Sequence, residues 1–258
     1  MVDTLMRFAR YPSLEGQTAF VSGGASGLGE EFVRQLADQG VRVGFVDIDE
    51  EAGEALRDEL AAGGAAVRFR ATDVRDVPAL TAAIEATARE LGPVTVLVNN
   101  AANDARSDWR ELDVALWDDR IATNVRHHFF AAQTVAPMMR DAGHGSIINL
   151  GSISAHIDLV DLVGYITAKA GVEGLTRTLA RELGPDRIRV NCIIPGWIMT
   201  ERQLRDWVTP EAAAAIERNQ CLPQRLHPDD VARLMLWLAA EDSRSCTAQN
   251  WVVDGGWM

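Results

Sequence analysis

Cysteine is scarce in this chain. Cys192, Cys221 and Cys246 are widely spaced and odd in number, which fits neither a disulfide framework nor a zinc site. Reduced thiols are expected, and with them a cytoplasmic location; Cys192, inside the apolar run Val190 to Ile194, reads as packing. Positive charge is short as well. Twenty-five Lys and Arg against 37 Asp and Glu leave a formal net charge of −12, which argues against nucleic acid or an anionic membrane as partner. No apolar run approaches the length of a membrane span, and Met1 to Tyr11 lack a signal-peptide core. There is no low-complexity linker and no internal repeat. His127 and His128 have no further ligands at helical spacing, so no metal site is expected.

What is present is a chain of 258 residues, 47% hydrophobic, enough to bury the core of one α/β domain. Strands are expected at about 18–22, 42–46, 66–71, 94–98, 145–150, 188–194 and 249–253. Helical patterns fill the gaps, with Gly40, Gly92 and Gly184 at helix ends. Seven strands alternating with helices imply a seven-stranded parallel sheet covered on both faces, a doubly wound Rossmann-type fold. The acidic clusters at 47–51 and 229–230 read as helix starts, where carboxylates are favourable.

Two motifs carry chemistry. Between the first strand and the helix that follows lies Gly23-Gly-Ala-Ser26-Gly27-Leu28-Gly29. Glycines there permit a tight turn and let backbone approach a pyrophosphate at a helix N-terminus. Further on, Tyr165 and Lys169 stand four residues apart, on one face of a helix. A phenol ionises near pH ~10, too high for a base at neutral pH, and a neighbouring ammonium can lower it. Ser152, at the end of the apolar strand Ser146 to Leu150, can hold a substrate oxygen beside the phenol. In this order the two motifs describe a dinucleotide oxidoreductase, with residues 18–100 as its dinucleotide-binding half and 101–258 as its catalytic half. Asp47 stands 24 residues after Gly23, near the spacing of a ribose-binding acid. It would repel a 2′-phosphate, and Ser26 supplies no base, so NAD is expected over NADP. The alternative is that Asp47 only caps the next helix.

From end to end the chain resembles the short-chain dehydrogenase/reductase family. The family's TGxxxGxG appears as Ser22 to Gly29, with Ser for Thr, and its NNAG as Asn99-Asn100-Ala101-Ala102, with Ala for the last Gly. The resemblance implies Asn124, Ser152, Tyr165 and Lys169 as the catalytic set, with Asn124 holding a water that links Lys169 to solvent. It implies cofactor binding at Gly23, Ser26, Gly27, Leu28, Gly29, Asp47, Ile48, Asn100, Ala101, Ala102, Tyr165 and Lys169. Asp73 and Val74 match the adenine-edge contact, Pro195, Gly196 and Ile198 the later Pro-Gly turn, and Thr200 the contact with the nicotinamide carboxamide. Ala102 adds a Cβ beside the ribose, and a small backbone adjustment is expected there. Residues 197–228 correspond to the family's substrate lid. Helices around 111–140 and 165–184, with Arg177, Arg181 and Glu182, resemble its subunit-contact surface, and the tail Val252 to Met258 resembles one that reaches a neighbour. A homo-oligomer, dimer or tetramer, is implied.

Within the family the chain is similar to bacterial NAD-dependent aldose dehydrogenases. That likeness rests on Tyr11 to Leu14, Asn103 to Arg106, Trp117 to Ile121, Gly151 to His156, Asp161 to Val163 and Asn219 to Leu222. It implies a monosaccharide substrate, D-xylose or a related sugar, oxidised at the anomeric hydroxyl to the lactone. Ala105, Ser107 and Trp197 depart from that group and leave the particular sugar open. Beside Ser152 and Tyr165, the candidate substrate residues are Asn103, Asp104, Ser154, His156, Trp197 and Gln203, with Trp207 as a second aromatic face. Each has a plainer reading: a turn for Asn103 and Asp104, a loop residue satisfied by backbone for His156, lid packing for Trp197. Another secondary alcohol (a polyol, hydroxysteroid or 3-hydroxyacyl group) is the alternative substrate, and a non-catalytic dinucleotide-binding scaffold the alternative class.

Overall fold

A strand covered by helices on both faces has no polar side, and this is how the central strands are built. In the computed structural model, which describes residues 8–258, Thr18–Ser22 (β1), Val96–Asn99 (β4) and Gly145–Leu150 (β5) are buried at every position. Residues 1–7 of the stretch inspected for a signal peptide lie outside the described residues. Arg42–Asp47 (β2) and Ile188–Pro195 (β6) flank the central strands. Val67–Ala71 (β3) and Asn250–Val253 (β7) form the edges, where burial becomes partial. All seven strands are parallel, in the order β3-β2-β1-β4-β5-β6-β7. The order reverses between β1 and β4, which opens a crevice at their carboxyl ends.

The helices divide between the two faces. Gly27–Asp38 (α1), Glu50–Ala62 (α2) and Pro228–Ala239 (α9) cover one, packing Phe32, Leu36, Leu56, Val231 and Met235 onto Val21, Val43 and Ile148. Val77–Leu91 (α3), His127–Ala142 (α5) and Val163–Leu183 (α6) cover the other through Leu80, Ile84, Val135, Met139 and Ala180. Asp49 and Asp76 cap α2 and α3 by accepting from the amides of Ala52 and Ala79, each contact contributing about 1 kcal/mol. Asp113 does the same for Val114–Ile121 (α4). Asp230 accepts from the amide of His227 at the start of α9. Both acidic clusters therefore do begin helices.

The helical stretch expected around 111–140 is not continuous. A five-residue π-helical turn, Ala122–Arg126, separates α4 from α5, and such turns recur at functional sites. It buries Asn124 and turns His127 and His128 into the core, both fully buried. Desolvation pulls His127 down to about 3 and His128 well below its ordinary value, so both rings are neutral. After β6 the chain leaves the sheet as Glu201–Asp206 (α7) and Pro210–Asn219 (α8). It returns where Met199 N–H bonds to the Leu226 carbonyl at 2.8 Å. No helix among the described residues is long and apolar enough to cross a membrane.

Gly44 of β2 has no room for a side chain: an added Cβ would stand 2.3 Å from the side chain of Thr87 on α3. Gly44→Ala is expected to cost about 1–3 kcal/mol by overpacking, read as a lower urea midpoint with unchanged slope. A wild-type midpoint would mean that Thr87 swings aside freely.

Candidate active site

The glycine loop is held open from behind. The Ser22 hydroxyl, at the end of β1, accepts from the amides of Asn100 (3.1 Å) and Ala101 (3.2 Å). The side-chain amide of Asn100 donates to the carbonyls of Gly23 (2.8 Å) and Ser22 (3.2 Å). These bonds stitch the two loops together, and the family's hydroxyl is retained in Ser22. Gly23 has φ +67°, and a Cβ there would lie 2.7 Å from the Ala101 Cα. Gly27, at φ +57°, opens α1, whose first amides and dipole face the crevice. Gly29 does not line the cleft. Its added Cβ would meet the Gly23 carbonyl at 1.7 Å, so its part is to let α1 close on the loop. Ala102 is exposed and has no positive φ, so its Cβ sits without backbone strain.

At the end of β2 the Asp47 carboxylate accepts from the amides of Ala25 (3.0 Å) and Asp49 (3.1 Å). Asp49, not Asp47, caps α2, which leaves Asp47 oriented toward the cleft. Ile48 presents a 74% exposed side chain beside it. Arg34, on the same wall, is bonded to Glu30 and Glu59. Asp73 pairs with Arg75 at 2.6 Å, and that guanidinium holds its carboxyl below the usual range.

Tyr165 and Lys169 project from one face of α6 toward the end of β5. The Lys169 ammonium, 1% exposed, donates to the Leu150 carbonyl at 2.7 Å and lies 5.7 Å from the centre of the Tyr165 ring. Desolvation pulls it down to about 8, against the nearby Cys192 and Asp104. Tyr165 moves the other way. Desolvation and then Asp104 push the phenol up to about 12, against the Ser152 hydroxyl and Arg202. The downward shift expected from Lys169 is not found: the ammonium is turned to a backbone carbonyl, and desolvation dominates at the phenol. Ser152 begins a short 3-10 turn, and its oxygen accepts from both the amide (3.2 Å) and the hydroxyl (2.8 Å) of Ser154.

These groups line one continuous cleft of about 1240 Å³, above the range of a pocket for one drug-sized molecule. It is walled by Ser26, Leu28, Val74, Asn103, Pro195, Gly196, Ile198 and Thr200, and at its mouth by Asp104, Trp197 and Gln203. Thr200 caps α7, accepting from the amide of Gln203. Besides Gly29, two more expected site residues lie outside the cleft. His156 points away, with Nε2 2.7 Å from the buried Glu173 carboxylate, because α6 offers it a partner that the cleft does not. Asn124 is buried behind the wall. It accepts from the Asn103 amide (2.8 Å) and donates to the carbonyls of Arg120 (2.9 Å) and Asn103 (3.2 Å).

Asp104, on the cleft wall, is already engaged by α7, accepting from Gln203 (2.8 Å) and Arg202 (2.7 Å). Asn103 forms the turn that was its plainer reading, its side-chain oxygen accepting from Ala105. Among the wall residues not expected at the site are Arg106, stacked 4.6 Å from the Trp207 ring, Leu159, and Trp257, 6.5 Å from Trp197. Within this chain the tail bearing Trp257 folds back on its own cleft. The positive φ of Gly255 and Gly256 is the feature that turns it. If Asp104 is a latch, Asp104→Ala exchanges the amides of α7 on the order of tenfold faster. Unchanged exchange, with a raised KM for substrate alone, would return Asp104 to direct substrate contact.

A family profile described as enoyl-(acyl carrier protein) reductase matches residues 23–258. The chain is 47% identical to D-xylose 1-dehydrogenase of Caulobacter vibrioides, over 98% of this chain and 100% of that protein. It is 45% identical to a probable galactose dehydrogenase of Rhizobium meliloti, over 96% and 97%. Among solved structures, a blue fluorescent protein from a metagenomic library, in complex with NADPH, matches with TM-score 0.88. That protein is 33% identical, and the match covers 95% of this chain and 99% of the other.

Proposed function

The chain belongs to the short-chain dehydrogenase/reductase family and is an oxidoreductase, and we propose that it oxidises the anomeric hydroxyl of an aldose, D-xylose or a related sugar, with NAD. The observation that carries this reading is the meeting of the glycine loop, Ser152, Tyr165 and Lys169 in one cleft. The likeness to two sugar dehydrogenases along nearly the whole chain supports a sugar as the substrate.

The residues present suit a dinucleotide. Gly23 and Gly27 hold the loop at positive φ, where side chains would be strained, and the start of α1 suits a pyrophosphate. Asp47 is held by two amides to accept ribose hydroxyls, and a 2′-phosphate beside it would bring like charges together, which favours NAD. Ile48, Asp73 and Val74 would flank the adenine, Asn100 to Ala102 the second ribose, and Pro195 to Thr200 the nicotinamide. When bound, the dinucleotide supplies the hydride acceptor.

The chain's own groups handle the proton. Tyr165, once ionised, takes it from the substrate hydroxyl while Ser152 donates a hydrogen bond to the same oxygen. Lys169, pulled down to about 8, keeps its charge at neutral pH and favours the phenolate. Asn124 has both amide protons spent on backbone, so it meets a water on the path from Lys169 only as an acceptor. Two of the charges at the cleft are matched there, Arg202 by Asp104 and Arg205 by Asp206. In this reading residues 197–228 act as the lid, and 18–100 and 101–258 as the cofactor and catalytic halves. A dimer or tetramer assembles through α4, α5 and α6, and the three free thiols fit a reducing cytoplasm.

The test is NADH formation by purified protein across aldoses, polyols and hydrophobic secondary alcohols. Turnover of D-xylose or a close relative is expected, and Tyr165→Phe should lower kcat on the order of 10²–10⁴-fold. NADP should support slower turnover, and Asp47→Ala should narrow that gap. Activity on polyols or hydrophobic alcohols alone would remove the aldose. NAD binding without turnover of any alcohol would leave a dinucleotide-binding scaffold.

A further inference from the structure

The Ser152 hydroxyl has two lone pairs and one proton. Both lone pairs face Ser154: one takes its amide at 3.2 Å, the other its hydroxyl at 2.8 Å. The arrangement is rigid. Ile153, between the two serines, is anchored among Val172, Cys192 and Ile194, and Ser154 is only 5% exposed. With its acceptor sites filled, Ser152 has one capacity left, to donate its own proton.

We propose that Ser154 is a positioning residue that fixes the polarity of Ser152, making that hydroxyl a donor to the reacting oxygen. This rests on the reading of Ser152 and Tyr165 given under the proposed function. The Ser154 hydroxyl, the Ser152 hydroxyl and the substrate oxygen form a donor chain in which each bond strengthens the next. The polarity matters because the substrate oxygen gains negative charge as its proton leaves, and a donor stabilises that charge while an acceptor would repel it. It matters also for Tyr165. With a lone pair on Ser152 freed, the neutral phenol donates into it and is stabilised against ionisation. Ser154 therefore acts on the base through Ser152.

The experiment compares Ser154→Ala, Ser154→Thr and Ser152→Ala with wild type, on whichever alcohol wild type turns over with NAD. For Ser154→Ala the expected result is kcat lower by about tenfold, with the alcohol KM within about twofold, one lost hydrogen bond's worth of rate. The acid limb of its kcat–pH profile moves to higher pH. Ser154→Thr, which keeps the hydroxyl, restores both. An unaltered kcat and acid limb, or a change confined to the alcohol KM, overturns the proposal. If Ser154→Ala fails to fold, as judged by NAD binding, Ser154→Cys keeps the size with a weak donor and carries the same comparison. Full activity in Ser152→Ala would instead overturn the reading of the site itself. Loss in Ser152→Ala beside an unaffected Ser154→Ala would overturn this inference alone.

Discussion

Lys169 is the only lysine of the chain, and it holds its ammonium inside the protein against a single backbone carbonyl, that of Leu150. A charge taken out of water costs several kcal/mol unless it is compensated, and one hydrogen bond does not suffice. The strain shows in opposite shifts along one helix face, the ammonium down to about 8 and the phenol of Tyr165 up to about 12. Each group is pushed toward its neutral form. At neutral pH the lysine is still charged and the tyrosine still protonated. Positive charge brought close to a phenol shifts it toward its anion.

The sheet makes this arrangement possible. Reversal of strand order between β1 and β4 brings the glycine loop, the Asn99 to Ala102 turn and the end of β5 to one edge. There Ser22, Asn100 and His127 tie the loops into one body. His127 Nε2 lies 3.0 Å from the Ala101 carbonyl, so the neutral ring carries its proton on that nitrogen. α6 then sets Tyr165 and Lys169 against the same edge. The segment after β6 is held more lightly, through Asp104, Arg202 and Gln203, all partly exposed.

Much of this was legible in the sequence, for physical reasons. Buried parallel strands are continuous apolar runs, so the strands were located to within two residues. β4 begins at Val96 rather than 94 because Val94 and Thr95 are buried before the ladder starts. The glycine and Tyr–Lys motifs were legible because their spacings are local. The π-helical turn at 122–126 was not, since one inserted residue barely disturbs helical periodicity. Nor were pairings between distant segments. Asp104 meets Gln203 across 99 positions and His156 meets Glu173 across 17, and nothing in the local pattern marks either partner. Asp47 and Asp49 are equally plausible caps by type, and only the bond from Ala52 separates them.

The central claim is that Tyr165 is the base and that its surroundings keep it protonated until a cationic cofactor arrives. The chain has two tyrosines, so Tyr11→Phe leaves Tyr165 as the only one, and its ring carbon bearing oxygen can be followed by carbon-13 NMR. Without NAD the account predicts a neutral phenol from about pH 7 up to about pH 10, the ordinary phenol value. With NAD bound it predicts conversion to phenolate inside that window. Ionisation below pH ~10 without NAD, or a phenol that stays neutral throughout with NAD bound, would contradict it.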